Sequence, residues 1–399
     1  MKKWLVKEGE QWVKDELISK EQLEAILKRY TNKKSSNLLP IFASVLIGLG
    51  ILSFIASNWD GIHDLVRVGI IITSMTGFYV SGDRAHKRGN DTLGNGLIGI
   101  GLLSFGAGIF LLGQMFHFQS YDGRPFIFWG LAGLLIVQLW KSRFLLLITM
   151  IIVTVGQLYT FSQFSTFNYV LGVLLLFGVG HFVYHRPNHI ITVLFSLSFS
   201  IQALLLIIHQ GWNHQFLFVF FLGLYLLGDV VKKKEITKPV QMIMLVASVI
   251  LAMFNIFFFD SFIPFDEFTN PELIIYGVLI ISLLILFFVK KRKTPDLSDF
   301  ILFLPVMFLG VMVDVLYLLL LFIYSISLLI VGYRDELTDK ATFGTVLFLL
   351  SSFIGYIQLA WSFMPKSIFF LFGGIILFIL SWFLEKRRRV LVKGVKRNG

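Results

Sequence analysis

The residues best able to do chemistry gather into one polar set. Asn58, Trp59, Asp60, His63 and Asp64 follow the first apolar stretch, Gln114, His117 and Asp122 follow the third, and His209 and His214 flank a later loop. Histidines beside carboxylates can hold a divalent cation or relay protons. The eight histidines, however, divide evenly, with His86, His181, His185 and His189 assigned to the opposite face. Sparse loop histidines of this kind normally face solvent, so neither a metal site nor a cofactor is expected. Trp59 has a plainer role as an interface anchor, and Asn58 and Asp60 have one as helix caps.

What must position these residues is a membrane bundle. The 399 residues are 56% hydrophobic and only 15% charged, with a mean hydropathy of +0.79; a soluble chain is about one quarter charged. The expected fold is all-α and polytopic, with about 14 spans. They are placed near 38–57, 66–82, 92–114, 126–140, 144–162, 167–184, 190–209, 215–231, 239–259, 272–289, 299–313, 315–332, 342–360 and 367–384. The 299–332 stretch is too long for one span, and a turn at Asp314 would make it a hairpin. A re-entrant pair buried in protein is the alternative.

With the N-terminus inside, 32 of the 35 Lys and Arg fall on the inner side, and only Arg67, Arg124 and Lys366 lie outside. Such a bias is what the positive-inside rule demands. The expected topology is therefore N-in and C-in. The clusters KKK (232–234), KKRK (290–293) and EKRRR (385–389) then read as anchors that attract anionic lipid headgroups. Asp229 is expected to pair with the first of them. No basic domain large enough for nucleic acid exists, and the absence of cysteine excludes disulfides and thiolate chemistry.

Four regions are expected: a cytosolic amphipathic leader (1–37), a first membrane block (38–143), further helical hairpins (144–384) and a basic tail (385–399). In the leader, Trp4, Leu5, Trp12 and Val13 mark one short apolar face. Ser19 and Gln22 fit a capping box that starts a second helix. Residues 1–34 could recruit a cytosolic partner.

Within the first block, Gly94, Gly101 and Gly108 step by seven, and so do Gly99, Gly106 and Gly113. A step of seven nearly closes two helical turns, so each trio forms a stripe along which another helix can approach closely. GNGLIG (94–99) matches a dinucleotide-binding pattern literally, but no strand precedes it and it lies in an apolar span. Amides recur in the apolar spans, at Gln114, Gln138, Gln157, Gln202, Asn255 and Gln358, and most of them are expected to bond between helices.

Residues 46–68, LIGLGILSFIASNWDGIHDLVRV, resemble the opening signature of the bacterial membrane-protein family called domain of unknown function 2157. The glycine-rich 93–118 is similar to that family's second block, and the leader, with ELISKEQLEAIL, to its start. The likeness covers about residues 4–143. It implies an integral protein of the bacterial plasma membrane and brings no established activity. The expected function is transport or binding of a small molecule or lipid through the bundle. The alternatives are a membrane enzyme with Asp60 or Asp64 as acid, base or ligand at the outer face, and a non-catalytic scaffold or sensor.

Overall fold

The computed structural model describes residues 62–116, 123–262, 271–292, 294–309 and 312–360, with isolated residues and short pieces before 62 and beyond 360. Among the described residues every regular element is helical, and eight helices are long and apolar enough to cross a membrane. The protein is thus a polytopic α-helical membrane protein. The chain forms two compact units, Met1–Phe118 and Gln119–Gly399.

The first unit is built on α1 (Asp64–Lys87) and α2 (Asp91–Met115). These run antiparallel, and the first glycine stripe is the reason they can approach. A Cβ on Gly94 would strike the His86 ring at 2.5 Å, on Gly101 the Tyr79 ring at 2.8 Å, and on Gly108 Ile71 at 2.8 Å. Of the second stripe, Gly99 and Gly106 are buried and Gly113 is half-buried. In the leader, Ser19 and Gln22 close the expected capping box in both directions, at 2.9 and 3.2 Å. Gly9 abuts Leu23. Trp12 and Val13 are half-buried, whereas Trp4 and Leu5 lie outside the described residues.

The second unit holds α3 (Arg124–Trp140), α4 (Arg143–Phe164), α5 (Tyr169–His185), α6 (His189–Gln210), α7 (Phe216–Val231), α8 (Lys234–Phe262), α9 (Pro271–Lys291), α10 (Val313–Arg334), α11 (Thr338–Ala360) and α12 (Phe370–Trp382). Helix α5 carries a π-helical turn at Leu174–Val179. Left-handed residues Lys141, Ser165 and Lys232 cap α3, α4 and α7. Helices α10 and α11 meet backbone to backbone: a Cβ on Gly332 would lie 2.5 Å from the Ala341 nitrogen.

The structure departs from expectation at 299–313, which is not an α-helical span. After α9 the chain forms a 3-10 helix (Pro295–Phe303), an extended step at Leu304, and a second 3-10 turn (Val306–Leu309). One side of this passage is buried, with Leu302, Phe303 and Met307 at 0–1% exposure, whereas Leu304, Phe308 and Leu309 are exposed. It starts beside Lys291 at the end of α9 and reaches Tyr276 near that helix's beginning, where Phe308 stacks at 5.8 Å. A 3-10 helix rises ~2.0 Å per residue against ~1.5 Å for an α-helix, so few residues cover much depth. The passage therefore runs back along α9 before α10 begins. Asp314 sits in the first turn of α10, where the helix dipole favours a carboxylate, and accepts from Gln358 Nε2 at 2.9 Å.

Candidate functional site

The 3-10 helix Pro295–Phe303 brings ionisable side chains together from five elements at the lysine-rich end of the second unit. Proline after Thr294 starts that helix, because a missing N–H costs nothing in a first turn. At three residues per turn, Asp296 and Asp299 fall on one face. Lys291 closes α9, and its Nζ lies 2.9 Å from Asp229 Oδ1 of α7 and 3.3 Å from Asp296 Oδ2. Lys340, in the first turn of α11, lies 2.9 Å from Asp296 Oδ1 and 3.9 Å from Asp299 Oδ1. Asp299 accepts from the Tyr225 hydroxyl of α7 at 2.8 Å and the Tyr324 hydroxyl of α10 at 3.2 Å. Gln241 Nε2 of α8 donates to Asp229 at 2.7 Å.

The Asp299 end of the line is enclosed, while Asp229 and Asp296 are partly exposed. Asp299 is 3% exposed and Lys291 7%, while both tyrosines are fully enclosed. Charges so placed persist only when paired and hydrogen-bonded.

A second, uncharged network lies at the other end of the same helices. The Tyr317 hydroxyl of α10 donates to Gln215 Oε1 at 2.7 Å, and Gln215 donates on to Asn255 Oδ1 of α8. His214 Nε2 is 2.8 Å from the same Asn255 oxygen, and Asn255 Nδ2 donates to the Leu251 carbonyl. Burial lowers the basicity of His214, against the smaller opposing effect of its bond to Asn255. An aromatic layer separates the two networks. Phe303 packs edge-on against Tyr225 at 6.3 Å and Phe218 at 6.4 Å, and Phe218 stacks on Tyr317 at 6.2 Å.

Of the polar set expected from the sequence, the structure describes only part. Asn58, Trp59, Asp60, His117 and Asp122 lie outside the described residues. His63 caps α1 by accepting from Leu65 N at 3.4 Å, and Asp64 pairs with Arg67 at 3.5 Å. Both are exposed and serve the start of their helix, as is the exposed Gln114 at the end of α2. His209 is half-buried, with its ring against the Ser165 carbonyl. Two expectations are corrected. Asp229 pairs with Lys291 rather than with KKK (232–234), because α7 ends on left-handed Lys232 and the chain turns into α8. Lys291, itself buried, faces the half-buried carboxylates of Asp229 and Asp296 rather than a headgroup layer.

Of the amides, Asn255 and Gln358 bond between elements as expected. Gln157 pairs with both backbone groups of Asn168 in the amide orientation that satisfies them. Gln202 is buried with its Nε2 unmatched, and Gln138 is exposed.

Asp299, Lys291 and Lys340 gave no signal in the sequence, where they stand among loop charges between apolar runs. Only Pro295 ahead of two aspartates three apart, leading into ILFLP, marks a non-α passage entering the bundle.

No curated protein and no solved structure matches the chain. Residues 10–146, which contain α1 to α3 but none of the ionised cluster, match the model of the family described as "Predicted membrane protein (DUF2157)".

Proposed function

We propose that the protein moves a small molecule or a lipid across the bacterial plasma membrane. In this reading the Pro295–Leu309 passage is the element that shifts against α7, α9 and α10. One observation carries it: a non-α backbone crosses the bundle between an ionised cluster and an amide–tyrosine network, with an aromatic layer between them. Irregular backbone at membrane depth is tolerated only inside protein or along a water-filled cavity, and interrupted helices are the usual substrate and ion elements of carriers. A 3-10 stretch has poorer hydrogen bonds than an α-helix and rearranges at lower cost. The basic clusters outside Lys291 would rest on anionic headgroups, and the leader would dock at the inner face.

The chain's lack of cysteine makes the test direct. Gly277 and Phe308 touch across α9 and the passage, at 3.1 Å from an added Cβ. A G277C/F308C variant is reconstituted, bridged with a short thiol-reactive linker, and compared with the unbridged protein. The assays are uptake of pooled labelled amino acids, sugars, nucleosides and organic cations, and translocation of a fluorescent phospholipid. Bridging should abolish whichever flux the unbridged protein supports. No flux of any probe, or flux indifferent to the bridge, would overturn the reading.

A further inference from the structure

We infer that Asp299 binds and releases a proton, and that this proton is the ion to which movement of the passage is coupled; the second half rests on the transport reading, the first does not. The cluster is a line of five charges of alternating sign: Asp229, Lys291, Asp296, Lys340, Asp299. Three carboxylates face two ammonium groups, so one carboxylate is in excess. The distances show which. Lys291 stands nearer Asp229 (2.9 Å) than Asp296 (3.3 Å), and Lys340 nearer Asp296 (2.9 Å) than Asp299 (3.9 Å). Asp299 is thus the carboxylate without a close ammonium, and the most deeply buried of the three. Two tyrosine hydroxyls hold it instead.

Tyr225 and Asp229 face the cluster from α7, Lys291 from α9, Tyr324 from α10 and Lys340 from α11; α8 contributes the uncharged Gln241. Asp335, at the end of α10, acts on Lys340 from outside and adds to the negative side. The proton balance is simple. A proton from water adds to one Asp299 oxygen and makes a neutral carboxylic acid. The new O–H donates to one tyrosine oxygen after that hydroxyl rotates, and Lys340 settles fully on Asp296. Release reverses each step. Asp296, one third exposed at its side chain, brings water to the lysine side of the line. Since Asp299 sits on the passage itself, gain and loss of the proton change the forces holding the passage to α7, α10 and α11.

The test is infrared difference spectroscopy of the purified full-length protein across a pH titration. In the unsubstituted chain a carboxylic-acid C=O band should grow between about pH 8 and about pH 5, above the range of an ordinary aspartate at ~3.9. D299N should remove this band and D296N should keep it. Tyr225→Phe should raise its frequency in a chain that keeps the aspartate, so the test survives a D299N chain that does not fold. No band above about pH 5 in the unsubstituted chain, or the same band persisting in folded D299N, overturns the inference. A band that behaves as expected, with no flux in the bridging assay, leaves the proton site standing and removes the transport reading alone.

Discussion

Gly332 of α10 and Ala341 of α11 are in backbone contact: an added Cβ would lie 2.5 Å from the Ala341 nitrogen and 2.8 Å from its Cα. Neither atom belongs to a flexible side chain, so the two helices must separate to admit a methyl group. Lys340 is the residue before Ala341, and the separation therefore reaches the charge line. G332A is expected to destabilise the protein by about 1–3 kcal/mol, the usual cost of overpacking. The same change at Gly223, with nothing within 4 Å, should be near neutral. Thermal unfolding in detergent measures both.

A parallel comparison isolates the first glycine stripe. The Cβ of an alanine at position 101 would press on the Tyr79 ring at 2.8 Å, whereas at position 77 it meets nothing within 4 Å. G101A should lower stability and G77A should leave it unchanged. Because the obstacle is a side chain, G101A combined with Tyr79→Ala should recover part of the loss, a non-additivity that a double-mutant cycle quantifies.

Removing one member of a buried ionic line costs more than the line contributes. Lys291→Met leaves Asp229 and Asp296 without their shared ammonium, and a loss on the order of 3–5 kcal/mol is expected. Lys290→Met, one residue earlier and exposed, should change stability by less than about 0.5 kcal/mol. Equal effects in chemical unfolding would mean that Lys291 is not paired.

Acid acts on His214 with a definite sign. Its folded-state basicity is lowered by burial, so protonation favours the unfolded chain. The contribution of the neutral ring is complete above the unfolded value of about 6.5 and is lost as pH falls through the lower folded value. The unsubstituted protein should therefore lose thermal stability between about pH 7 and about pH 5 relative to His214→Gln. The comparison between the two chains cancels titrations they share, including any at Asp299.

Much of the framework was legible because it rests on local rules. The seven-residue glycine steps at 94, 101 and 108 predicted close helix approach, and Tyr79, His86 and Ile71 supply the opposing surface. The Ser19–Gln22 box needed only a spacing of three. The ionised cluster was illegible for the opposite reason. Lys291 meets Asp229 across 62 residues, and Tyr225 meets Asp299 across 74. No periodicity connects residues so far apart, and each looks like an ordinary loop or interface charge beside its neighbours. Likewise 299–313 is apolar enough for a span, and composition does not distinguish a 3-10 passage from an α-helix; Pro295 and Pro305 were the local hints.

The aromatic layer of Phe218 and Phe303 has an electrical meaning. In the transport reading proposed above, anything that passes between the two polar networks must pass these two rings. A unit charge carried from Asp299 past them to the Gln215 side would exchange ~2.3 kcal/mol with each 100 mV of membrane potential.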